Sequence, residues 1–133
     1  MAFGVFDVIH PGHLRFLRAA KKLGTKLIVV VTRDAHVAKV KGRRPVMCES
    51  ERLQIVAALR DVDRALLGDK GKPSMVRVHK PDIIAVGYDQ DANHPKLLAQ
   101  LASMKKKPKV VRIGAHRPAA YRSSVYKSKF RSS

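Results

Sequence analysis

Gly4-Val5-Phe6-Asp7-Val8-Ile9-His10-Pro11-Gly12-His13 decides how this chain is read. An apolar start, Phe3–Phe6, gives way to His10-Pro11-Gly12-His13, a turn that runs into an amphipathic helix through about Leu23. Leu14, Leu17 and Ala20 recur there at helical spacing, with Arg15, Arg18, Lys21 and Lys22 between them. Glycine permits close backbone approach, and a helix N-terminus offers unpaired N–H groups and a positive dipole end to an anion. Two imidazoles three residues apart at that place can donate to phosphate oxygens. Two nitrogens with no third ligand nearby make a poor zinc site.

Outward from the turn, short apolar strands alternate with helices. Gly24 stops the first helix, and Lys26–Val31 is apolar and β-branched enough for a strand buried on both faces. Asp34–Val40 reads as a helix, followed by the basic loop Lys41-Gly42-Arg43-Arg44-Pro45. Glu49–Arg60 is a helix with acids in its first turn. Val62–Leu67 is a third strand, Gly68–Lys72 a loop, and Ser74–His79 a short helix ended by Pro81. Asp82–Val86 and Lys109–Ile113 are strands four and five, with a helix over Pro95–Met104 between them and a last helix at Ser123–Phe130. The alternation predicts one α/β domain over residues 1–133: a Rossmann-like, doubly wound, five-stranded parallel sheet in the order 3-2-1-4-5. Ligands of such sheets bind beyond the carboxyl ends of the strands, here Asp7–His13, Thr32–Asp34, Gly87–Gln90 and Gly114–Ser124.

Composition sets the outer limits. The 133 residues include 28 Lys+Arg and 10 Asp+Glu, a formal net charge of +18, and 45% are hydrophobic, enough for a core. Residues 1–91 hold 17 of the basic and all 10 acidic residues; residues 92–133 hold the other 11 basic residues and no acid. Such a balance favours polyanionic partners: nucleic acid, a membrane surface or phosphorylated metabolites. The run Lys105-Lys106-Lys107 has no interleaved aromatic residues, which a single-strand stacking platform needs. One cysteine, Cys48, excludes an internal disulfide framework and a multi-cysteine zinc site. Apolar runs such as Leu27–Val31 and Ile83–Val86 are too short to span a bilayer, and no secretory leader opens the chain. A cytoplasmic protein with no membrane partner is expected. No paired carboxylates and no Ser-His-Asp arrangement stand out.

The Gly4–His13 stretch resembles the signature strand and turn of the cytidylyltransferase-like nucleotidyltransferases, which share an HxGH element. Six further segments, in the right order, look most like the archaeal-type FAD synthases: Val31-Thr32-Arg33-Asp34, Val40–Pro45, Glu51-Arg52, Val62–Gly68, Lys80–Ile84 and Gly87-Tyr88-Asp89-Gln90. Three places depart from other branches. Val5 stands where many relatives carry threonine, Gly-Tyr-Asp-Gln replaces the Gly-Asp-Asp-Trp of glycerol-3-phosphate cytidylyltransferases, and Arg122-Ser123-Ser124 replaces their terminal Arg-x-x-x-Ile-Ser-Thr-Thr.

The resemblance implies transfer of AMP from ATP to FMN, giving FAD and pyrophosphate. It assigns His10, His13 and Lys41 to catalysis, the histidines at the α-phosphate and Lys41 with Arg43 closing over the triphosphate. Nucleotide binding falls to Val5, Phe6, Asp7, Gly12, Gly87, Asp89, Gln90, Arg117, Ser123 and Ser124, together with the two histidines. Acceptor binding falls to Asp34, Arg43, Arg52 and Tyr88. Plainer roles stand beside these: a turn-fixing Asp7, a solvated Arg43-Arg44 loop, an N-cap at Ser123-Ser124, and an Arg52–Glu49 pair at i,i+3. The protein supplies no metal ligands in this reading, and Mg²⁺ or a similar divalent cation accompanies the triphosphate. A homodimer is implied by resemblance. Two other readings remain: a CTP-dependent enzyme acting on a small phosphorylated alcohol, and a basic nucleic-acid-binding module on a nucleotide fold.

Overall fold

In the computed structural model, which describes residues 1–69, 75–87 and 95–114, five short strands form one parallel sheet. They are β1 (Ala2–Gly4), β2 (Ile28–Val31), β3 (Arg64–Leu67), β4 (Ile83–Val86) and β5 (Lys109–Arg112), in the order β3-β2-β1-β4-β5. The helices between them are α1 (Pro11–Lys22), α2 (Asp34–Lys41), α3 (Glu49–Ala57), α4 (Met75–His79) and α5 (Pro95–Ala102). The predicted order and parallel pairing are as expected. The helix predicted at Ser123–Phe130 lies outside the described residues.

Period-2 alternation along the strands sorts their side chains onto two faces. Ala2, Val29, Val31 and Ala85 join Leu17 and Ala20 of α1 and Val56 of α3 in one core cluster. Val30, Ile84 and Val86 join Met1 and Val76 of α4 in the other, with Leu101 of α5 packed against it. Both faces of the sheet are therefore covered, which is why β2 reads as an unbroken apolar run.

Several strand limits differ from the sequence expectation by one or two residues, and three of them have a local reason. β1 stops at Gly4 because Phe6 takes a left-handed φ of 52° and leaves the strand direction. Its ring folds back so closely that a Cβ on Gly4 would lie 2.7 Å from Phe6 Cε2. β2 starts at Ile28, because the Leu27 N–H donates to Asp63 Oδ2 (2.7 Å) rather than to a strand neighbour. That carboxylate also takes Lys21 Nζ, and β3 accordingly begins after Asp63, at Arg64.

Candidate active site

The carboxyl ends of β1 and β2 bring together the turn 5–13, the start of α2 and the segment joining α2 to α3. His10 is the N-cap of α1, in extended backbone, and is nearly buried. Its Nδ1 accepts the Gly12 N–H at 3.1 Å, and the Nδ1 of His13 accepts the His10 N–H at 3.2 Å. The pair is thus a capping box in which imidazoles replace the usual hydroxyl and carboxylate. The His-x-Gly-His spacing is the N-cap to N3 spacing, so the same hydrogen bonds that start the helix fix the tautomers. With Nδ1 accepting on both rings, the proton sits on Nε2 of each. The rings lie 3.9 Å apart between centroids, and Phe6 packs 5.6 Å from His13. Burial pushes the His10 pKa down, so this ring is neutral at neutral pH. No acid occupies the first turn of α1, which leaves its dipole end suited to an anion.

Asp7 is buried, and its carboxylate accepts the N–H groups of Val46 and Met47, both at 2.8 Å. Of the two roles considered for it, these bonds supply the structural one: Asp7 ties the far end of the basic loop to the histidine turn. At the near end Gly42 closes α2 with a left-handed φ of 77°. Lys41, expected in the loop, is instead the last residue of α2, and Arg43 and Arg44 lie between the two anchors; all three are exposed.

Arg52 lies elsewhere than expected. Its side chain is fully buried, and the guanidinium donates to Met47 O (3.0 Å), Val5 O (2.8 Å) and Asp34 Oδ1 (2.6 Å). A direct contact with an acceptor phosphate does not fit this geometry, because all three bonds run to the protein's own carbonyls and carboxylate. The plain alternative fails as well, since Glu49 faces Arg33 and Asp34 instead.

Asp34 has a comparable position. Its Oδ2 accepts the Glu49 N–H while the Asp34 N–H donates to Glu49 Oε1, each at 3.1 Å, so α2 and α3 cap one another. Burial alone would raise the Asp34 pKa. The hydrogen bonds from Arg52 and Glu49 and the charges of Arg52 and Arg44 outweigh it and hold the carboxyl below its ordinary value. Arg33 completes the brace, with Nη1 on Glu49 Oε2 (3.1 Å) and Nε on Gly68 O (2.6 Å).

Arg33 and Glu49 were not read as partners in the sequence, because the separation of fifteen positions between Asp34 and Glu49 matches no helix or strand period. Gly87 directly follows β4, as predicted. Tyr88, Asp89, Gln90, Arg117, Ser123 and Ser124 lie outside the described residues. Among the described residues no group of three or more His, Cys, Asp or Glu is placed to hold a metal ion, and no helix is long and apolar enough to cross a membrane.

A parallel α/β sheet with a buried histidine cap at the end of its central strand defines a class of anion-binding, nucleotide-handling proteins. Within that class the chain belongs to the Cytidylyltransferase-like family, whose model matches residues 1–131. Its relatives include FAD synthases. That of Archaeoglobus profundus is 46% identical over 128 residues, 94% of this chain and 80% of the relative. That of Thermoplasma acidophilum is 42% identical over 131 residues, 97% and 91% respectively. A crystal structure described as the lipopolysaccharide core biosynthesis protein from Thermoplasma volcanium GSS1 superposes with a TM-score of 0.77. It is 42% identical, covering 87% of this chain and 95% of that one.

Proposed function

We propose that this protein is an FAD synthase: an FMN adenylyltransferase that joins ATP and FMN to give FAD and pyrophosphate. The observation that carries this reading is the histidine capping box, taken with FAD synthase relatives that align along nearly the whole chain. An oxygen of the FMN phosphate bonds to the α-phosphorus of ATP, and the bond from that phosphorus to the oxygen bridging to the β-phosphate breaks. Pyrophosphate leaves with the electron pair. The nucleophile is already an anion at neutral pH, so the site needs positioning and charge neutralisation more than a strong base.

In this reading the Nε2–H groups of His10 and His13 donate to the α-phosphate oxygens as charge builds there. The N-terminus of α1 adds its dipole, and Lys41 and Arg43 cover the β- and γ-phosphates. Gly12 lets the phosphate approach the backbone. The segment from Gly87 to Gln90, with Arg117, Ser123 and Ser124, completes the nucleotide pocket, and Tyr88 borders the acceptor. A divalent cation, Mg²⁺ in the simplest case, would travel with the triphosphate and neutralise it, since Asp7 is already occupied by the amides of residues 46 and 47. The substrates are soluble phosphate esters, consistent with a cytoplasmic enzyme.

The test is to incubate the purified protein with each pairing of ATP or CTP with FMN or glycerol 3-phosphate, following pyrophosphate release and FAD absorbance. FAD formation from ATP and FMN alone is expected; release with CTP alone would sink the assignment. His10→Ala and His13→Ala should each lower kcat about a hundredfold or more. Loss of the helix cap should cost only about 1 kcal/mol, so folded protein without turnover is the expected outcome.

A further inference from the structure

Arg52 makes three hydrogen bonds to three separate segments. Val5 O precedes the histidine turn, Met47 O follows the basic loop, and Asp34 opens the helix that leads into that loop. A fully buried guanidinium is costly to desolvate, and an apolar residue would fill the space at less cost. What the fork supplies is a fixed geometry among the three segments, which a point charge does not. Lys41, Gly42, Arg43 and Arg44 are exposed and lie between the two ends that this fork and Asp7 secure.

We propose that Arg52 is a positioning residue for the transfer reaction: it sets the end of α2 and the basic loop after it against the His10–His13 turn, so that Lys41 and Arg43 meet the triphosphate whose α-phosphate the histidines hold. The proposal rests on the reading of this site as one that takes a nucleoside triphosphate. Arg52 touches no substrate in it. Asp34 orients the guanidinium, Glu49 orients Asp34, and Arg33 holds Glu49.

The test uses inorganic tripolyphosphate as the probe, titrated calorimetrically into four full-length proteins: wild type, Arg52→Lys, the double variant Lys41→Ala/Arg43→Ala, and the triple combination. The positioning role predicts about a tenfold weaker Kd in Arg52→Lys at unchanged stoichiometry. It predicts a similar loss in the double variant and no more than about a twofold further loss in the triple, because the loop cations have already gone. A merely structural role predicts fewer binding-competent molecules with the wild-type Kd, or losses that multiply in the triple variant; either result overturns the proposal. If far-UV circular dichroism shows that Arg52→Lys does not fold, Asp34→Asn decides by the same two readings, with an expected loss of about threefold. FAD formation by the wild type is measured in parallel. Tripolyphosphate coupling without FAD formation rejects the FMN assignment and keeps the role of Arg52. FAD formation with an unchanged Kd in Arg52→Lys does the reverse, and a wild type that binds no tripolyphosphate overturns the role of Arg52 outright.

Discussion

His10 works with both sides of its ring. One nitrogen starts a helix by accepting the Gly12 N–H, and the other is thereby left as the proton-bearing nitrogen. A hydroxyl or carboxylate at the same cap would serve the helix equally well but would present no N–H to a phosphate. Burial holds the ring neutral, so its folded pKa lies below its unfolded one. The sign follows: the stability tied to the neutral ring is complete above the unfolded value and is lost as pH falls through that value toward the lower folded one. We therefore expect the wild type to lose stability across the mildly acidic range. A His10→Asn variant, which keeps a cap acceptor and an N–H donor without titrating, should lose less over that interval. Urea unfolding at a series of pH values checks this, and equal losses in the two proteins would refute it.

Among the elements, β1 is the shortest and the most constrained. It ends where Phe6 turns back over Gly4, and the space left there accepts no Cβ. The nearest atoms belong to a buried aromatic ring, which cannot swing aside. Gly4→Ala should therefore destabilise the protein by about 1–3 kcal/mol, read as a lower urea midpoint at unchanged slope. Since Val5, Phe6 and Asp7 follow directly, the same variant should lower kcat by more than its folded fraction explains. The α2–α3 connection illustrates a different limit. Its helices were expected at Asp34–Val40 and Glu49–Arg60, yet that Asp34 and Glu49 cap each other fifteen positions apart was not. Helical period links positions three and four apart; only folding links these two.

For the molecule as a whole, the charge of +18 acts at longer range than any contact. Fields of this size steer anions toward a cleft and fade with salt, since screening lengths fall to about 10 Å at 0.1 M. For ATP we expect kcat/KM to decline with rising KCl while kcat holds nearly constant, because contacts at the buried histidine cap are screened less than the approach. A parallel fall in kcat would show that the basic surface acts in the chemical step itself. The residues proposed to handle phosphate account for part of the charge. The 11 basic residues of 92–133, with no acid among them, carry a further share, of which the proposed pocket uses Arg117.

The order of strands and helices was legible in the chain itself, because hydrophobic period is a local property and alternating β and α segments admit few topologies. So was the histidine turn, whose chemistry and spacing fit within four residues. What the tertiary structure alone decided is which polar side chains are taken up by the protein's own groups. Arg52 and Asp7 look like acceptor and nucleotide contacts in the sequence, yet their bonds run to Val5, Met47, Asp34 and Val46. A side chain's charge is written in the sequence. Its partners are set by segments far apart along the chain, and a buried charge takes the nearest groups able to satisfy it.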